Sequence, residues 1–98
     1  MSELRFEWDP TKARLNERKH GITFAEAETA FADEHGLLLN DLEHSTEEER
    51  FVLLGLSASL RLLVVVHCYI EADNVIRLIS ARKATRPERV HYLARWKP

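Results

Sequence analysis

Between Arg61 and Ile70 the chain carries its longest apolar run, Leu62-Leu63-Val64-Val65-Val66, followed by His67-Cys68-Tyr69-Ile70. The first half of this segment is apolar on both faces, and it is rich in β-branched residues. It therefore reads as a strand at the centre of a sheet. It is far too short to cross a bilayer. Everything else has to be arranged around that strand, and the sequence supplies the neighbours. Arg50 to Leu56 precedes it across Ser57-Ala58-Ser59-Leu60. Asn74 to Arg82 follows it across a turn centred on Ala72-Asp73-Asn74. Both gaps are short enough for hairpins. Leu37-Leu38-Leu39 is one more strand, and the polar, acidic stretch Asp41 to Glu49 reads as a loop.

Before Leu37 the period is helical. Arg5-Phe6-Glu7-Trp8 alternates as a short strand, and Asp9-Pro10 then starts a helix, Asp9 as cap and Pro10 in the first helical position. Gly21 can supply its left-handed stop after His20. Thr23 and Glu26 form a capping box for a second helix, with Phe24, Ala27, Ala30 and Phe31 on one face. Thr85 and Glu88 form another box for a third, from Arg86 to Arg95, which Val90, Leu93 and Trp96 would pin down. The expected order is β-α-α-β-β-β-β-α: two N-terminal helices, an antiparallel β-meander and a C-terminal helix, an α+β fold. With 98 residues the chain is expected to form a single domain, 1–98.

The net charge of −2 conceals an asymmetry. Residues 1–76 hold seven Lys and Arg against fifteen carboxylates, a net of −8, whereas residues 77–98 hold seven against Glu88 alone, a net of +6. A basic surface for a polyanion or an acidic partner fits this, and so does a solvated C-terminal helix. The overall acidity argues against a strong nonspecific nucleic-acid binder. No signal peptide is expected, because Met1 to Pro10 lacks an apolar stretch, so a cytoplasmic location and no membrane association are expected. Cys68 is the one cysteine and reads as a small buried thiol. His20, His35, His44, His67 and His91 are scattered without metal-ligand spacing, so no metal and no cofactor are expected. Glycine is too scarce for a phosphate loop, and Ser57 and Ser59 lack the setting of a nucleophile elbow.

Pairing Ile70 with Val75 would put His67 and Tyr69 on one face with Leu78, Ser80 and Arg82, and Arg61 by strand parity. Val64, Val66, Cys68, Arg77 and Ile79 would share the opposite face, which looks more like the core. A slip of one residue would instead bring Arg77 beside His67. Arg, His and Tyr on an open sheet suit metal-independent RNA cleavage. A histidine takes the 2′-hydroxyl proton, arginines stabilise charge on the phosphate, and a tyrosine ring stacks on a base. A packed, hydrogen-bonded His67 is the plainer alternative. On the first helix Lys12, Asn16, Lys19 and His20 form a stripe at i, i+3, i+4 spacing. It could contact phosphates, or Lys19 and His20 could simply complement the helix C-terminal dipole.

These segments resemble a known family. Phe6-Glu7-Trp8-Asp9-Pro10-x-Lys12, Asn16-x-x-Lys19-His20-Gly21, Phe24 and Ala27 are similar to the N-terminal signature of the BrnT toxins. Asp41-x-x-His44 with Glu49-Arg50 resembles the middle. Arg61 to Val66 and Ile76-Arg77-Leu78-Ile79-Ser80-Ala81-Arg82-Lys83-Ala84-Thr85 resemble the C-terminal signature. The resemblance implies a RelE-like ribonuclease toxin of a type II toxin–antitoxin system that blocks translation by cutting RNA without a metal. It also implies a BrnA-type antitoxin, in a complex of two chains of each that binds operator DNA through the antitoxin. Arg61, Arg77, Arg82 and Lys83 sit at basic positions of the motif, and Lys19 and His20 match its helix. Expected catalytic residues are Arg61, His67, Arg77 and Arg82, with Lys12, Lys19, His20 and Lys83 holding RNA. His67 as base is a local inference, with His20 the alternative. A catalytically degenerate module that only binds antitoxin or nucleic acid is the competing reading.

Overall fold

The computed structural model describes residues 4–41 and 48–95. Among them are five strands and three α-helices: β1 (Arg5–Glu7), α1 (Pro10–His20), α2 (Phe24–Thr29), β2 (Leu37–Asn40), β3 (Arg50–Leu56), β4 (Leu62–Ile70), β5 (Val75–Lys83) and α3 (Arg86–Leu93). Short 3₁₀ turns at Ala30–Ala32 and Glu71–Asp73 complete the path. The strands lie in the order β1-β5-β4-β3-β2. β2 to β5 are antiparallel neighbours, as a meander requires, and β4 is central. β1 departs from the meander by lying parallel to β5, Arg5 against Val75 and Glu7 against Arg77, which makes the sheet mixed.

The caps explain where the helices start. Asp9 accepts from the Thr11 N–H at 3.1 Å with Pro10 next, and Gly21 ends α1 at φ 71°, its N–H on the Glu17 carbonyl. That left-handed turn is a conformation only glycine takes without strain. Thr23 caps α2 through the Glu26 N–H, but the second arm of the expected box is missing, because Glu26 turns its carboxylate to Arg61 and Ser57. Both arms of the box at α3 are present.

The two faces of the sheet are covered differently. Ile22, Phe24, Ala27 and Ala30 from the α1–α2 side pack on Leu53, Leu63, Val65, Ile76, Leu78 and Ala81. Trp8 meets Phe24 edge-on at 5.9 Å and Phe6 meets Phe31 at 5.1 Å. Gly55 lets the Ala30 turn sit directly on β3, since a Cβ there would come within 2.9 Å of the Ala30 carbonyl oxygen. On the other face α3 buries Tyr92 against Leu54, Leu62 and Val64, with the phenol donating to Asp33 at 2.6 Å. Tyr92 is thus the anchor, whereas Val90 and Leu93, the expected anchors, are exposed. Trp96 lies outside the described residues.

The main departure from the expected faces is a β-bulge. Ile70↔Val75 and His67↔Leu78 keep the anticipated register, but Val66 pairs with Ser80, so Ile79 is an extra residue in β5. A bulge reverses the alternation beyond it. His67 keeps Leu78 on its face, while Ser80 and Arg82 move to the opposite face beside Val66 and Val64. The His67 face is also the one under α1 and α2, so it is the principal core and not the open surface.

α1 itself has almost no apolar stripe. Its buried residue is Asn16, whose side-chain amide donates to the Ala81 and Ile22 carbonyls, both at 2.9 Å, and accepts from the Ala81 N–H at 3.0 Å. β1 ends opposite Arg77. Beyond it, the Asn16 amide takes the place of a neighbouring strand and satisfies both backbone groups of Ala81.

Candidate functional site

The four expected catalytic residues are not assembled in one place. His67 is 3% exposed. Its ring lies edge-on to Phe31 at 4.8 Å and stacked near Phe51 at 6.0 Å, with Nδ1 3.1 Å from the Val65 carbonyl oxygen. Burial holds its pKa below the usual histidine value, so it is neutral at pH 7. It sits at the back of an apolar groove of about 410 Å³ lined by Leu4, Phe31, Leu38, Phe51, Leu53, Tyr69 and Ile76. Arg61 shares this face, but it lies six positions from His67, roughly 20 Å of strand.

Each of the three arginines faces a carboxylate. Arg61 is ion-paired with Glu26, Nε to Oε2 at 2.9 Å, and reaches the Gly21 carbonyl at 3.4 Å. Glu26 also accepts from the Ser57 hydroxyl at 2.7 Å. The Arg61 hydrogen bond outweighs burial and holds the Glu26 pKa below the usual carboxylate range. Lys83 is exposed and adds to that field. Arg77 meets Glu7 at 2.7 Å and Glu48 at 3.9 Å. Arg82 grips Glu88 with two parallel bonds of 2.8 and 2.9 Å, and this grip is the main cause that lowers the Glu88 pKa to about 2. That planar fork is the geometry in which a guanidinium receives a phosphate.

The expected RNA-binding residues of α1 are brought together. Lys12, Asn16, Lys19 and His20 line one shallow cleft of about 220 Å³ with Leu15, and its far wall is Ile79 and Ser80 of β5. Lys12 and Lys19 are exposed and His20 is half-buried. Among the described residues none of the three is ion-paired. The bulge forms this wall, and it also aims Ser80 to the same face as Arg82 and Arg77. The α1 cleft therefore opens onto the arginine-bearing face of β5. Arg61, through the Gly21 carbonyl, braces the turn that follows His20.

Sequence reasoning placed Asn16 in the stripe but missed that it is the clamp. It also missed Glu26 and Glu88 as partners of the motif arginines, and the bulge at Ile79. A signal for Asn16 was present: a helix with no apolar face needs some other attachment. His44 lies outside the described residues. Among those residues no group of three His, Cys, Asp or Glu side chains could hold a metal ion. No described helix is long and apolar enough to cross a membrane.

A family model for the ribonuclease toxin BrnT of type II toxin–antitoxin systems matches residues 8–88. This chain belongs to the BrnT family. The fold is similar to that in the 1.1 Å crystal structure of the Brucella abortus ribonuclease toxin BrnT, with a TM-score of 0.65 at 22% sequence identity. The match covers 86% of this chain and 100% of that one. No curated protein matches the chain in sequence. BrnT proteins are ribonuclease toxins, and a type II system pairs the toxin with an antitoxin. The α1–β5 cleft of this BrnT chain carries Lys12 and Lys19 on one wall and Ser80 on the other.

Proposed function

We propose that residues 1–98 act as one toxin domain, an endoribonuclease that cuts RNA without a metal at the α1–β5 cleft. The observation that carries this reading is the cluster of Lys12, Lys19 and His20 against Ser80, opening onto Arg82 and Arg77. Lys12 and Lys19 hold backbone phosphates. His20 takes the proton of a 2′-hydroxyl, since imidazole accepts protons near neutral pH. The 2′-oxygen attacks phosphorus, the bond to the 5′-oxygen breaks, and the leaving oxygen takes a proton from solvent. The products are a 2′,3′-cyclic phosphate and a 5′-hydroxyl. Arg82 exchanges the Glu88 carboxylate for the phosphate and, with Arg77, stabilises the charge that builds there. Arg61 and Lys83 lie outside the cleft, Arg61 as a brace for the His20 turn and Lys83 as a contact for flanking RNA. His67 belongs to the core in this reading. RNA loss blocks translation in the cytoplasm, and a BrnA-type antitoxin, two chains with two toxins on operator DNA, neutralises it. The fold is related in this account to the RelE-type ribonucleases.

The test is cleavage of a defined RNA by purified toxin in excess chelator, with the product ends identified. The reading expects 2′,3′-cyclic phosphate ends, undiminished by the chelator. Activity that disappears with chelation would overturn it. A second reading, a module that binds but does not cut, draws on one observation: Arg61, Arg77 and Arg82 are each already matched to a carboxylate. It predicts salt-sensitive RNA binding with no product.

A further inference from the structure

β2 ends the sheet, and among the described residues no strand pairs with its outer side. Its sequence is Leu37-Leu38-Leu39-Asn40, with Leu38 and Leu39 58% and 51% exposed on opposite faces. An unpaired row of N–H and C=O groups beside exposed leucines is a ready template for another strand. A cleft adjoins the edge on each face. Leu37 and Leu39 border one of about 260 Å³, floored by Val52, Leu54 and Val64 and rimmed by Glu88 and His91. Leu38 borders the larger groove of Phe31, Phe51 and Leu53.

We infer that β2 is a docking edge that takes an extended segment of the antitoxin as a sixth strand. The partner's identity as an antitoxin rests on the function proposed above. Its chemistry follows from the edge. Clefts on both faces call for apolar side chains at successive positions of the incoming strand, since alternate residues enter alternate faces. Glu34 precedes β2, and Asp41 follows it with Glu49, which accepts from Asn40 at 3.1 Å; the Asp33 carboxylate is turned inward to Tyr92 and the Leu56 N–H. These ends favour lysine or arginine flanking the apolar core of the incoming segment. A second copy of this chain fits less well. Antiparallel β2–β2 pairing would set Glu34 of one copy beside Asp41 and Glu49 of the other, and parallel pairing would align like with like. The Leu39-side cleft also reaches Glu88, the carboxylate that holds Arg82, so a strand docked there lies next to the arginine-bearing face.

The experiment uses the toxin with its cognate antitoxin, comparing wild type with the double variant Leu38→Lys, Leu39→Lys. Hydrogen exchange on the wild-type complex reads the β2 amides directly and needs no variant. The inference expects outward amides of Leu37–Asn40 to become protected on binding. It expects the double variant to lose affinity by roughly 30-fold or more, and to escape neutralisation while still cutting RNA. Unprotected β2 amides in a formed complex, or unchanged affinity in the folded variant, would overturn it. So would a toxin that is dimeric alone and becomes monomeric in the variant, which would assign the edge to a second copy. A toxin that fails to cut RNA yet shows β2 protection would remove the ribonuclease reading and leave the docking edge standing.

Discussion

The two edges of this sheet are finished in opposite ways. Where β1 runs out, the exposed side of β5 is closed by one side chain, Asn16, which satisfies both backbone groups of Ala81 and ties α1 to the sheet. At the far edge, β2 carries three leucines and, among the described residues, has no strand on its outer side. The closed edge is lined by Lys12, Lys19 and His20, and the open one is flanked by carboxylates. In the proposed account the contrast separates two tasks. The edge proposed to hold catalytic groups is locked by buried hydrogen bonds, while the edge proposed to receive a partner has no strand on its outer side among the described residues.

The most damaging way to break the contrast is Asn16→Ala. It strands the Ala81 N–H and two carbonyls in the interior, at roughly 1–3 kcal/mol each for unsatisfied buried groups. Allowing for partial relaxation, a loss of about 3 kcal/mol or more is expected in urea denaturation. Asn16→Asp keeps the acceptor for Ala81 but sets a carboxylate against two carbonyls, so it is not expected to rescue.

Next comes Arg82→Ala, with an expected fall in RNA cleavage on the order of 10²–10³. The Arg82–Glu88 pair is partly exposed, with side chains 40% and 31% accessible, so its stability contribution is at most about 1 kcal/mol. A large activity loss with a small melting shift is therefore the expected signature, and equal losses in both would point to a structural role.

Acid titration separates the interior from the surface. His67 has a lowered pKa in the fold, so below about pH 6.5 the unfolded chain binds a proton that the native core refuses, and stability begins to fall. Glu88 has a folded pKa of about 2 against 4.5 unperturbed. Its contribution is whole above pH 4.5 and is lost as pH falls towards 2. His67→Gln should remove the first phase of the stability–pH curve and leave the second. The smallest expected effect is at the open edge: Leu38→Lys should change stability by no more than about 0.5 kcal/mol, as an exposed position does.

Much of the architecture was legible in the residues. Asp9-Pro10, Gly21 and Thr85-x-x-Glu88 mark real helix ends, and the hairpins around β4 follow from short gaps with Leu60 and Asn74 in left-handed conformations. The bulge was not legible. Ile79 looks like any other strand residue, and one inserted residue reversed the faces of Ser80 and Arg82. Neither was the β1–β5 pairing, because a three-residue strand has no local signal for a partner about seventy positions away. The Glu26 capping arm was misread for a related reason. Arg61, thirty-five residues on, competes for that carboxylate more strongly than a backbone N–H does. Among the site residues, the α1 stripe was legible because helical spacing is local. The sheet half required a register that local pattern did not contain.

The central claim is that RNA is cut at the locked edge, with His20 as the base. Single-turnover cleavage of a short RNA by wild type and His20→Ala, each confirmed folded, tests it most directly. The account predicts a fall of roughly 10²–10⁴ in rate for His20→Ala with the melting temperature essentially unchanged. Full activity in a folded His20→Ala variant would contradict it.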